Sequence, residues 1–82
     1  MDDTELRAIV IATLKAIAPE VEEAELRPDR PLRQQVDLDS MDWLNFLIGL
    51  ADKLKVEIPE ADYRKLVTVN DLVAYLRGKL GG

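Results

Sequence analysis

The sequence predicts an all-α fold, a small four-helix bundle of three main helices and one short helix, with a long loop between helices one and two. Three observations predict it. Apolar residues recur with a helical period in three separate stretches. No stretch alternates with period two for long enough to make a strand. Three of the four prolines, Pro19, Pro28 and Pro31, fall in one interval between the first two stripes. With 82 residues the chain reads as a single domain spanning residues 1–82, and a domain of that size buries only about 60–65% of its unfolded surface.

The first helix carries Leu6, Ile9, Val10, Thr13, Leu14 and Ile17 at i, i+3, i+4, i+7, i+8 and i+11, one stripe of a 3.6-residue period. Asp2 with Glu5 three residues on is suited to a capping box, and Pro19 stops the helix near Ala18. From Pro19 to Leu38 the pattern breaks. A connection this long is uncommon in a small domain and is either functional or disordered. Val21, Leu26, Leu32, Val36 and Leu38 are spaced as anchors, so the loop is expected to be ordered and pinned to the core, with a short helical turn around Glu22 to Leu26.

The second helix is expected from Asp39-Ser40 to about Lys55. At 100° per residue, Trp43, Leu44, Phe46, Leu47, Leu50, Ala51 and Leu54 fall within roughly 160°, an arc broad enough to meet two neighbours. Pro59 opens a short helical piece, Glu60 to Leu66. Thr68 and Asp71 form a second capping box, followed by the stripe Val69, Leu72, Val73, Leu76 and Leu80. The tail Leu80-Gly81-Gly82 matches the di-glycine end of ubiquitin-like modifiers, but that fold needs a strand-rich sheet that this pattern cannot supply.

Composition narrows the function classes. The chain has 11 basic and 16 acidic side chains, a net charge of −5, and neither cysteine nor histidine. Without cysteine there is no disulfide framework, thiolate zinc site or cysteine nucleophile. Without histidine the usual general base and the commonest metal ligand are missing. The chain is therefore expected not to be an enzyme and to hold no metal. Its acidity disfavours nucleic acid, whose phosphates it would repel. The acidic start Met1-Asp2-Asp3 is unlike a signal peptide, and the apolar stretches are too short to span a membrane. A monomeric cytoplasmic protein that presents a group or binds a partner is the expectation.

The chemistry is concentrated in Val36-Asp37-Leu38-Asp39-Ser40-Met41-Asp42, which sets one hydroxyl among carboxylates at a helix start. Two readings of these residues stand side by side. Asp39 or Ser40 is a helix N-cap, as both types prefer to be. Alternatively, Ser40 receives a phosphate group, where free backbone N–H groups and the helix dipole favour an anion. Asp37, Asp39 and Asp42 oppose that anion and suit a basic partner, or a metal that the partner carries. Serine hydrolysis is excluded, because no histidine exists to activate Ser40.

Asp39-Ser40-Met41 resembles the Asp-Ser-Leu signature of acyl carrier proteins. The resemblance covers nearly the whole chain: an N-terminal helix, a long loop, the signature at a helix start, Val56-Glu57-Ile58-Pro59 after the second helix, and Thr68-Val69 opening the last. It implies a carrier whose Ser40, flanked by Asp39 and Met41, bears a covalent 4′-phosphopantetheine arm. A phosphopantetheinyl transferase would install the arm, and acyl- or aminoacyl-loading and processing enzymes would be the partners. The thiol that a cysteine-free chain lacks would then belong to the prosthetic group. An acyl cargo of fatty-acid or related biosynthesis is the first expectation. An aminoacyl or polyketide unit, an unmodified interaction module with the same fold, and a partner-dependent enzyme subunit are the alternatives.

Departures from the family pattern point to a specialised member. Met41 stands where leucine is usual, a volume-conserving change. Asn45 stands where fatty-acid carriers are usually acidic, and Trp43 adds bulk three residues after Ser40. By the same resemblance, Phe46, Leu47, Leu50, Leu66 and Val67 are candidates to line an acyl pocket; the alternative is that they simply fill the core. Trp43 and Phe46 leave little space there, so a restricted pocket for short cargo is expected. Met41 and Ile48 lie near 100° and 80° on the helical wheel, off the apolar arc and beside Asn45 (roughly, at 100° per residue). Met41, Asn45 and Ile48, with Asp37 and Asp42, are therefore the candidate partner surface, the carboxylates steering a basic partner.

Overall fold

A computed structural model describes residues 2–81, so Gly82 of the di-glycine tail lies outside the described residues. The chain forms the expected all-helical bundle: α1 (Asp3–Ile17), α2 (Leu32–Gln35), α3 (Ser40–Leu54) and α4 (Val69–Lys79), with 3-10 turns at Glu23–Glu25 and Glu60–Lys65. No strand occurs among the described residues; a single antiparallel bridge pairs Pro31 with Thr68.

Each long helix begins where a side chain can accept an orphan N–H. Asp2 accepts from the Glu5 N–H at 2.9 Å, one half of the expected box; the other half, donation from the Asp2 N–H to the Glu5 carboxylate, is not formed. At α4 both halves form: Thr68 Oγ1 accepts from the Asp71 N–H, and Asp71 Oδ2 accepts from the Thr68 N–H. α3 ends at Lys55, whose φ of 55° lies in the left-handed region, while the Val56 N–H reaches back to the Ala51 carbonyl. That is the hydrogen bond of a Schellman end, normally built around glycine.

The core is one apolar cluster in which Leu6, Val10 and Leu14 of α1 meet Phe46, Leu47 and Leu50 of α3 and Val69, Leu72 and Leu76 of α4. α1 packs against both other long helices. Ile11, outside the stripe assigned from sequence, is also buried, whereas Ile9 and Ile17 are half-buried. Leu80 corrects the last stripe: it follows the end of α4 and is 37% exposed.

The first connection is folded against the bundle. Val21, Leu32, Val36 and Leu38 are buried and Leu26 is half-buried, as the anchor spacing predicts. Part of the segment read as loop is the helical turn α2. Its Gln35 closes the connection on itself: Oε1 accepts from the Arg27 N–H, and Nε2 donates to the carbonyls of Arg27 and Arg30 at 2.9 and 3.0 Å. The Leu32 N–H donates to the Val67 carbonyl at 2.9 Å and the Asn70 N–H to that of Pro28 at 3.0 Å, which ties α2 to the entrance of α4. The radius of gyration, 11.6 Å, matches the ~11.7 Å of a compact chain of this length.

The short helical piece after Pro59 exists, but with 3-10 geometry over Glu60–Lys65. Tyr75 of α4 fixes it by donating its hydroxyl to Asp62 Oδ2 at 2.6 Å. That bond, with Lys65 beside it, lowers the Asp62 pKa. Burial, followed by the same Asp62 contact, raises the Tyr75 hydroxyl to about 12.

Candidate functional site

The sequence left open whether Asp39 or Ser40 caps the helix, and the structure separates them. Asp39 is the N-cap, its Oδ1 accepting from the Asp42 N–H at 2.8 Å. Ser40 is the first residue of α3 and is exposed. Its hydroxyl bonds to no other described residue. The backbone N–H groups of Ser40 and Met41 likewise have no acceptor among the described residues, whereas that of Trp43 is taken by the Asp39 carbonyl at 3.0 Å. A free, solvent-facing hydroxyl thus stands beside two free N–H donors at the positive end of a four-turn helix. That set fits a phosphate ester, because the donors and the dipole act on the same anion.

Exposed carboxylates surround the hydroxyl. Asp37 and Asp39 are exposed and Asp42 is half-buried. Among the described residues no group of three acidic side chains is arranged to hold a metal ion. Asp37 also borders a cleft of about 640 Å³ along the first connection, lined as well by Glu20, Glu22, Glu25, Arg27 and Arg30.

The outer face of α3 is as the helical wheel places it. Met41 is 65% and Ile48 52% exposed, the two most exposed large apolar side chains among the described residues. Asn45 lies between them and is exposed too. Ile48 borders a cleft of about 530 Å³ with Leu47, Ala51, Lys55, Val56 and Tyr63.

The five residues named for an acyl pocket are not brought to one cavity. Phe46, Leu47 and Leu50 are fully buried, Leu47 also bordering the cleft beside Ile48, and Leu66 is 2% exposed. Val67, 41% exposed, lies in the irregular link between Leu66 and the α4 cap, and its carbonyl accepts from the Leu32 N–H of α2. Leu66 and Val67 instead border a smaller cleft, about 200 Å³, with Trp43, Tyr63, Arg33 and Arg64. Trp43 is 9% exposed and stacks at a tilt on Phe46, ring centroids 5.3 Å apart. Sequence reasoning missed Gln35, Arg33 and Arg64. None sits in a motif; each matters only through which segments the fold brings beside it.

Residues 5–76 match the phosphopantetheine attachment site family. The chain belongs to the acyl carrier protein family. It is 31% identical over 71 residues to the acyl carrier protein of Helicobacter hepaticus, covering 87% of both chains. Over 71 residues it is 35% identical to the meromycolate extension acyl carrier protein of Mycolicibacterium aurum, covering 83% of this chain and 73% of that one. The acyl carrier protein of Myxococcus xanthus is 29% identical over 72 residues, with 84% and 91% covered. As a member of this family the chain serves as an acyl carrier in biosynthesis, through a covalent 4′-phosphopantetheine. These relatives are carriers rather than catalysts, and no helix of the described residues is long and apolar enough to cross a membrane.

Proposed function

We propose that Ser40 is the attachment residue and that the chain works as a single-domain, monomeric cytoplasmic carrier with no catalysis of its own. The observation that carries this reading is the division of labour at the start of α3. Asp39 does the capping, so the Ser40 hydroxyl is left free and exposed beside two unpaired N–H groups. The arm supplies a thiol on which an acyl group is held as a thioester. The chain's own residues do the rest. Ser40 Oγ provides the ester oxygen, the Ser40 and Met41 N–H groups offset the phosphate charge, and Asp39 keeps that turn helical.

A phosphopantetheinyl transferase installs the arm from coenzyme A: the Ser40 Oγ–phosphorus bond forms as the coenzyme's pyrophosphate bond breaks, and adenosine 3′,5′-bisphosphate leaves. It and the acyl-processing enzymes dock on the face bearing Met41, Asn45 and Ile48. Asp37, Asp39 and Asp42 accelerate encounter with a basic partner surface, and the two apolar side chains prolong the bound state. Labelling with a fluorescent coenzyme A derivative and a broad-specificity transferase tests the site. Wild type should take one label and Ser40→Ala none; equal labelling of the two would place the arm elsewhere.

A further inference from the structure

The small cleft beside the attachment helix carries charge of the opposite sign to the rest of the chain. Its walls are Trp43 of α3, Arg33 of α2, and Tyr63, Arg64, Leu66 and Val67 of the segment before α4. Arg33 and Arg64 are both exposed, and neither is paired with a carboxylate among the described residues. Two guanidinium groups line this cleft and no acidic side chain does, which favours an anion there. The walls are preset by the backbone bond from Leu32 to Val67 and the bridge from Pro31 to Thr68. The volume, about 200 Å³, is below the ~300–1,000 Å³ of sites for drug-sized ligands. It suits a short chain. Trp43 is three residues from Ser40, less than one turn or about 5.4 Å along the axis, so a group tethered at Ser40 reaches this cleft.

Building on the attachment at Ser40, we propose that this cleft selects a short acyl cargo ending in a carboxylate, its methylenes against Trp43 and Leu66 and its carboxylate between Arg33 and Arg64. A long saturated chain exceeds this volume, and the fully buried Phe46 ring stacks against Trp43. An aminoacyl cargo brings an ammonium group toward two cations.

The test loads the full chain with butyryl-, succinyl- and β-alanyl-coenzyme A through a transferase, verifies each species by intact mass, and records melting temperature and fluorescence of Trp43, the only tryptophan. The succinyl form should melt about 2–5 °C above the butyryl form, with the β-alanyl form lowest and the Trp43 emission of the succinyl form shifted. High salt, or Arg33→Gln with Arg64→Gln, should erase the succinyl advantage. Equal melting of the three loaded forms overturns the proposal while leaving Ser40 as the attachment residue. So does a shift already complete in the unacylated holo form, which would assign the arginines to the arm's phosphodiester. Failure of any arm to load at Ser40 overturns the attachment reading and this one with it.

Discussion

Replacing Asp39 by alanine separates the two duties of the signature, because it removes a cap without touching the Ser40 hydroxyl. The lost contact is the 2.8 Å bond from the Asp42 N–H to Asp39 Oδ1. Deleting an N-cap acceptor costs about 0.5–2 kcal/mol, typically ~1. Removing a negative charge from the positive end of a helix adds about 0.3–1 kcal/mol at low salt. Relief of repulsion from Asp37 and Asp42 acts the other way, but all three carboxylates are at least partly in water and screened. The cap dominates. With ~4–8 °C of melting temperature per kcal/mol for a domain of this size, Asp39→Ala should melt about 4–12 °C below wild type by far-UV circular dichroism. Asp39→Ser keeps an acceptor and should recover more than half of that loss. A melting temperature for Asp39→Ala within about 1 °C of wild type, or no recovery in Asp39→Ser, would refute the capping assignment.

Other expectations follow from single residues. Ile48→Asp should weaken transfer from partner enzymes about tenfold, an effect of ~1.4 kcal/mol, while its melting temperature stays close to wild type, since Ile48 is 52% exposed; if it unfolds the chain, Ile48 is core. Lys55→Gly should raise stability by about 0.5–1 kcal/mol, because glycine adopts the left-handed conformation of this helix end without a Cβ clash, and denaturant unfolding reads the gain. Alkaline stability should report Tyr75. With its folded pKa near 12 against an ordinary 10.0, the unfolded chain ionises first, so stability falls as pH rises from 10 to 12. Tyr75→Phe should flatten that slope and Asp62→Asn should reduce it only in part, because burial is the larger cause of the shift; an unchanged slope in Tyr75→Phe would contradict the assignment.

The elements set by local chemistry were legible in the sequence. α1, α3 and α4 begin where an Asp or Thr side chain stands before a helical stripe, and the structure starts each at that point. Met41 and Ile48 were assigned outward from the wheel alone, and they are the most exposed large apolar side chains described. What the sequence hid depends on contacts between distant segments. α2 is a turn of four residues, too short for any period to reveal, and it is held by Gln35 bonding eight residues back to Arg27. Val67 looks apolar enough for the core, yet the link to α4 turns its side chain outward while its carbonyl serves Leu32. Arg33 and Arg64 are unremarkable on their own helical turns; they meet at one cleft only because α2 is tied to the entrance of α4.

Peptide mass spectrometry of the protein purified from its own host tests whether Ser40 bears the arm that holds an acyl cargo. The peptide containing Ser40 should carry one 4′-phosphopantetheine, with a further acyl mass that hydroxylamine removes as a thioester would allow. An unmodified Ser40 peptide from cells with an active transferase, or the same modification on a Ser40→Ala chain, would rule out Ser40 as the attachment residue.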